Sequence, residues 1–189
     1  MKLERLAGLG ATLVMLATIG CSDPVPPPAQ ASLLFVVGQP GVPGVGCAIG
    51  GSQAANIGGP PAPARGDPGA RAVDGQDDTS IGCRVSGGGA FSISGSALRG
   101  VTSFSITNGT APAGGRGEAR ISVSSPATAG KVLTSAADRP CTLFLDRTPF
   151  QVAPGNIWAD FDCDLAVNAS QPGSQCGITG NFVFENCEE

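Results

Sequence analysis

The sequence has no histidine and no tyrosine, one tryptophan, two methionines, and only 5% aromatic residues. Without an imidazole there is no Ser-His-Asp triad, no Cys-His dyad and no His-ligated zinc. Lysine occurs only at Lys2 and Lys131. Residue Thr128 stands three places before Lys131, so no S-x-x-K pair is formed, and no G-x-S-x-G elbow occurs. Charged residues are scarce at 14%, with a formal net charge of −4, which argues against a nucleic-acid binder because that needs a basic patch. Beyond Cys21 no stretch has clear helical periodicity, with Ala127–Asp138 the one ambiguous segment. Glycine-rich loops that lead from strand to helix to cradle phosphate are therefore not expected.

Glycine (29), proline (16) and cysteine (7) are plentiful. So is apolar sequence at the start. Lys2 and Arg5 precede the uncharged run Leu6–Ile19, which is shorter than the roughly twenty residues of a spanning helix and has the form of a secretory signal. Thr18-Ile19-Gly20-Cys21 follows and resembles the bacterial lipobox, with Thr18 where leucine is commonest. The resemblance implies cleavage before Cys21, a thioether-linked diacylglycerol on that cysteine, and an N-acyl chain on the new terminus. Several acyl chains anchor stably, since each buried methylene contributes about 0.8 kcal/mol. Ser22, where aspartate would imply inner-membrane retention, points to the outer membrane of a Gram-negative bacterium. The whole chain also loosely resembles uncharacterised secreted β-rich lipoproteins, on features such as Phe182-Val183-Phe184-Glu185-Asn186-Cys187. That resemblance implies no activity.

The expected organisation is a signal peptide over 1–20, a lipidated cysteine with a proline-rich spacer over 21–30, and one domain over 31–189. Pro26-Pro27-Pro28 favours an extended spacer. Residues 38–75 are rich in glycine and proline and read as loop. Elsewhere apolar residues alternate with serine and threonine, as in Ala90–Ser94, Ser103–Thr107 and Ile121–Ser124, the pattern of half-buried antiparallel strands. Further strands are expected at Leu33–Val37, Val45–Ile49, Ile81–Ser86, Lys131–Thr134, Thr142–Asp146, Ile157–Leu165 and Gly177–Glu185. Gly87-Gly88-Gly89, Arg99-Gly100, Asn108-Gly109 and Gly114-Gly115 read as turns. Many short strands without helices predict an all-β, disulfide-stapled antiparallel β-sandwich, with a partly closed β-barrel as the alternative. The predicted core is Phe91, Ile93, Phe104, Ile106, Ile121, Val123, Leu143, Leu145, Phe161, Leu165, Phe182 and Phe184.

If Cys21 carries lipid, the other cysteines form an even set: Cys47, Cys83, Cys141, Cys163, Cys176 and Cys187. In an exported chain that is a disulfide framework. Each long-loop bridge would contribute roughly 2–4 kcal/mol to a thin core. Cys176 and Cys187 flank an extended run and stand too far apart to join. The expected pairing is Cys163–Cys176 across a turn, Cys47–Cys83 around the Gly/Pro-rich loop, and Cys141–Cys187 by remainder.

Asp160, Asp162 and Asp164 alternate along one expected strand, with Trp158 on the same face and Phe161 opposite. Three carboxylates in line are a weak candidate site for Ca²⁺, although a flat strand does not wrap an ion. A solvated, self-repelling strand face is the plainer reading. Trp158 is either an exposed sugar-stacking platform or a ring covered by a loop. Asp67, Asp74, Asp77 and Asp78 do not fit an EF-hand loop. Glu118 and the aspartates leave carboxylate-dependent hydrolysis open, but nothing pairs two of them. Asn108-Gly109-Thr110 and Asn168-Ala169-Ser170 match glycosylation sequons, which carry little weight in a bacterial lipoprotein. The expected function is that of a cell-envelope lipoprotein with a structural or binding role, no cofactor, and the membrane as its first partner. A surface module binding glycan or protein is the first alternative, and a carboxylate-dependent hydrolase the second.

Overall fold

The computed structural model describes residues 25–47, 49 and 51–189. The expected signal peptide, the Thr18–Gly20 motif and Cys21 lie outside the described residues. The strands are β1 (Gln30–Gly38), β2 (Gln53–Ile57), β3 (Ala72–Val73), β4 (Thr79–Gly87), β5 (Ala90–Arg99), β6 (Thr102–Pro112), β7 (Arg116–Ser124), β8 (Leu133–Ser135), β9 (Cys141–Phe144), β10 (Gln151–Ala153), β11 (Asn156–Asn168) and β12 (Gln171–Glu185). Short 3-10 turns at Pro63–Arg65 and Pro126–Thr128 are the only helical segments among the described residues.

All the strands belong to one sheet, in the order β2-β1-β12-β11-β8-β7-β6-β5-β4, with β3, β9 and β10 attached at its sides. The ladders between strands are antiparallel. Phe104 of β6 lies 5.4 Å from Phe182 of β12 and 5.7 Å from Phe161 of β11, between ring centroids. In a flat sheet β6 and β12, four strands apart, would be separated by roughly 19 Å. The sheet therefore folds over on itself, and its two halves press their apolar faces together. The two layers expected of a sandwich are halves of a single sheet. The far edge is also tied back. Glu188 donates its N–H to Cys83 O and accepts from Val85 N–H, at 2.9 and 2.8 Å, so the segment after β12 runs beside β4. This partly closes the structure.

Alternation builds the core as expected. Phe91, Ile93, Phe104, Ile106, Ile121, Val123, Leu143, Leu145, Phe161, Phe182 and Phe184 are all buried. Leu165 is the exception and is only half-buried. The register slips between Cys163 and Ala166. That bulge reverses the in-out parity and puts Ala166 inside in its place.

Three more expectations are corrected. The Gly/Pro-rich stretch over 38–75 is not all loop. It supplies β2, which pairs with β1 from Val37↔Gln53 to Leu33↔Ile57, and the short β3. Among the described residues of the expected strand Val45–Ile49, Cys47 forms a single bridge and none belongs to a strand. Asn108-Gly109 is not a turn but a bulge within β6, with Asn108 at φ 51°. Asparagine tolerates the left-handed region better than most residues do, so the strand continues past it.

The cysteines pair as Cys47–Cys176, Cys83–Cys187 and Cys141–Cys163. The expected Cys47–Cys83, Cys163–Cys176 and Cys141–Cys187 are all replaced. The reason is register. Cys163 lies opposite Ile178 on one side, and on the other side Asp162 faces Thr142 of β9, which brings Cys141 level with Cys163. Gln175 bridges to Cys47, placing its neighbour Cys176 at that loop. Cys187 meets Cys83 where the tail crosses β4. Chain proximity suggested hairpin closure; strand order decides otherwise. β12 is indeed one extended strand, and Cys176 within it and Cys187 just beyond it are bonded to different partners.

Candidate functional site

Period-two geometry assigns the outer face of β10, β11 and β12. Gln151 pairs with Trp158 and Trp158 with Val183, giving one row across three strands. Ala153 pairs with Asn156, and Glu185 follows two residues after Val183, giving the next. These six side chains share the face opposite Phe161 and Phe182. They line a hollow of about 180 Å³. Gln151, Ala153 and Asn156 are exposed at its margin. Val183 and Trp158, 3% and 8% exposed, lie at its buried side, where Ile157 and Phe184 also line it.

Trp158 is thus not the exposed stacking platform that was one of its two expected roles. Phe150 stands edge-on to it, with ring centroids 6.0 Å apart, so the residues leading into β10 cover the indole. Covering it carries a cost. Trp158 Nε1 is buried with no hydrogen-bond acceptor. On the same face, Asn181 Oδ1 is buried with no donor. Orphaned groups of this kind typically cost about 1–3 kcal/mol each, and native proteins leave few of them.

The hollow is electrically quiet. Its one carboxylate, Glu185, accepts from Arg71 Nε at 2.7 Å and from Arg71 Nη2 at 2.6 Å. Arg71 Nη1 is spent on the carbonyls of Pro68 and Gly69. This bidentate pair cancels the charge at the wall.

Beyond Trp158 on the same face of β11 come Asp160 and Asp162. Asp160 lies between Phe144 of β9 and Asn181 of β12, and Asp162 between Thr142 and Thr179. Asp164 falls in the bulge, where its carbonyl accepts from Gly41 N–H at 2.9 Å. Burial pushes the Asp160 carboxyl above the ordinary carboxylate range; the Arg147 guanidinium and the Phe161 N–H pull it down, and Asp162 adds to the rise. Asp162 is also raised, by burial first and then by the neighbouring Asp164. The guanidiniums of Arg116 and Arg147 lie 5.2 and 5.7 Å from the Phe144 ring centre. Among the described residues no three Asp, Glu, Cys or His side chains converge to hold a metal ion. The aspartates follow one another along a strand and do not surround a point.

The other acids serve their own loops. Asp74 Oδ1 accepts from Ile81 N–H and Asp67 Oδ1 from Gly69 N–H, at 2.7 and 2.8 Å. Asp77 lies 3.9 Å from Arg99. Asn168 Oδ1 accepts from the N–H groups of Ser170 and Gln171, shaping the β11–β12 turn. Sequence reading missed Gln151, Asn156, Asn181 and the Arg71–Glu185 pair as neighbours of Trp158. Only register brings them there, although Trp158 and Asp160 at i and i+2 already marked the face. Comparison with protein-family models, with curated proteins and with solved structures yields no match to this chain.

Proposed function

We propose that this protein is a lipid-anchored β-domain of the bacterial cell envelope, tethered through Cys21, whose role is to bind or to support and not to catalyse. The observation that carries the reading is the use of sulfur. Each of the six cysteines after Cys21 is bonded to another. Cys21 is left over, at the position where a lipobox requires a cysteine. Three disulfides also suit an oxidising compartment and not a reducing cytosol. β1 starts at Gln30, so the proline-rich spacer, at about 3.1 Å per residue in the extended form, would hold the domain on the order of 25 Å from the lipid surface. Ser22 after the cysteine favours the outer membrane.

A binding role is preferred over hydrolysis because of how the acids lie. Asp160 and Asp162 sit side by side on one strand and address the same side of any substrate. Glycoside hydrolysis needs two acids flanking the scissile bond. Mass spectrometry of the native protein tests the anchor. The expected result is an N-terminal peptide that begins at Cys21, carries acyl chains, and comes from a protein with no free thiol. A mature terminus elsewhere, or an unmodified Cys21 thiol, overturns the reading. Cys21→Ser should leave the chain unprocessed and without the acyl mass.

A further inference from the structure

We propose that the hollow on the outer face of β10, β11 and β12 is a binding site for one small, neutral, polyhydroxylated molecule of about hexose size. The inference rests on the binding reading of the domain but not on its acyl anchor.

Size is the first argument. A hollow of about 180 Å³ is smaller than the roughly 300–1,000 Å³ of pockets that take drug-sized ligands, and it seats one small ring.

Charge is the second. Glu185 is neutralised by the two-pronged contact with Arg71, whose Nη1 is engaged by backbone carbonyls. No other charged side chain lines the hollow. An anion would meet a carboxylate, and a cation would meet one already taken. A neutral ligand meets no such penalty.

The third argument is the chemistry of the lining. Gln151 and Asn156 present amides at the margin, and each amide both donates and accepts. Trp158 and Val183 offer an apolar floor for C–H groups. A hydroxyl is a neutral group that supplies acceptor and donor together, as these exposed amides require. An apolar ligand would leave the amides unpaired, which costs affinity.

The test uses the mature protein and its single tryptophan, because the one indole N–H resonance and the tryptophan emission both report on this site alone. D-glucose, D-galactose, myo-inositol and sodium sulfate are titrated separately. The expected result is a saturable shift of the indole resonance with at least one of the three neutral compounds, with a millimolar dissociation constant as befits about a dozen heavy atoms, and no saturable response to sulfate. Ala153→Phe, which fills the hollow from its exposed rim, should abolish the shift while the remaining amide spectrum stays folded. Gln151→Ala should weaken binding about tenfold. The proposal is overturned by a flat response to all three neutral compounds, by a saturable response to sulfate, or by a shift that survives in Ala153→Phe. A protein that carries no lipid can still pass this test, and a lipidated one can fail it, so the two readings fall separately.

Discussion

The two halves of the sheet are built differently. The half formed by β4, β5, β6 and β7 is a meander in which each strand pairs with the next in sequence. Cys83 is its only cysteine. The half formed by β1, β2, β11 and β12 pairs the first strand with the last, and Cys47, Cys163, Cys176 and Cys187 lie within it or at its ends. Local pairing costs little chain entropy, and the meander has a single covalent link, from Cys83 at its edge strand to Cys187. Non-local pairing closes long loops at an entropic cost, and two of the three bridges, Cys47–Cys176 and Cys83–Cys187, span such loops, with sequence separations of 129 and 104. The lesson is that disulfides here compensate for topology more than for a thin core.

The sharpest test of that contrast compares bridges. Replacing Cys47 and Cys176 together by alanine opens a loop of 129 residues, and replacing Cys141 and Cys163 opens one of 22. Loop-closure entropy assigns about 5 kcal/mol to the first and about 3.4 kcal/mol to the second. Denaturant unfolding of the two double variants should rank them in that order. The reverse order would show that local packing around the buried Cys141–Cys163 bridge, and not chain topology, sets the effect.

Phe104 is where the halves meet, touching Phe161, Phe182 and Phe184. Phe104→Ala should cost about 3–5 kcal/mol, measured by the same method. A loss under 1 kcal/mol would mean that the two halves are held by their bridges alone.

Gly180 tests the non-local half from within. It lies between Phe35 of β1 and Phe161 of β11. A Cβ there would strike the Leu34 carbonyl oxygen and come within 3.0 Å of the Phe161 ring. Gly180→Ala should destabilise by roughly 1–3 kcal/mol through overpacking. Ser92→Ala, at an exposed position of the meander, should change stability by no more than about 0.5 kcal/mol. Equal effects at the two positions would erase the contrast.

The smallest effect concerns Asp160 and depends on pH. Its carboxyl is raised in the folded state, chiefly by burial, so the native protein binds more protons than the unfolded chain through that range. Its stabilising contribution is full below the unfolded value of about 3.9 and is lost as pH rises through the folded value. Asp160→Asn should therefore raise the thermal midpoint at pH 7, with a gain that shrinks to nothing below about pH 3.9. A variant that is less stable at pH 7 would show that the attraction to Arg147 outweighs burial.

The same contrast governs what could be read from the residues. In the meander, alternating Phe91/Ile93, Phe104/Ile106 and Ile121/Val123 gave strand, face and core together, because each relation spans only a few positions. The all-β class and the burial of nearly every expected core residue followed from such patterns. Disulfide partners did not, since Cys141 meets Cys163 only through the register of β9 on β11. Leu165 was misplaced by a bulge that no composition signals. At the candidate site, the face shared by Trp158 and Asp160 was legible from spacing. The cover over Trp158, and the ring of Gln151, Asn156 and Glu185 around it, depended on strands far apart in the chain.

One consequence follows from the partnership of β1 with β12. Until the C-terminal strand has emerged from the ribosome, the N-terminal strand has no neighbour on that side, and Cys47 and Cys83 lack their partners. The early chain can form hairpins but cannot shut. Closure of the sheet and two of its three covalent links therefore wait for the last strand of the chain.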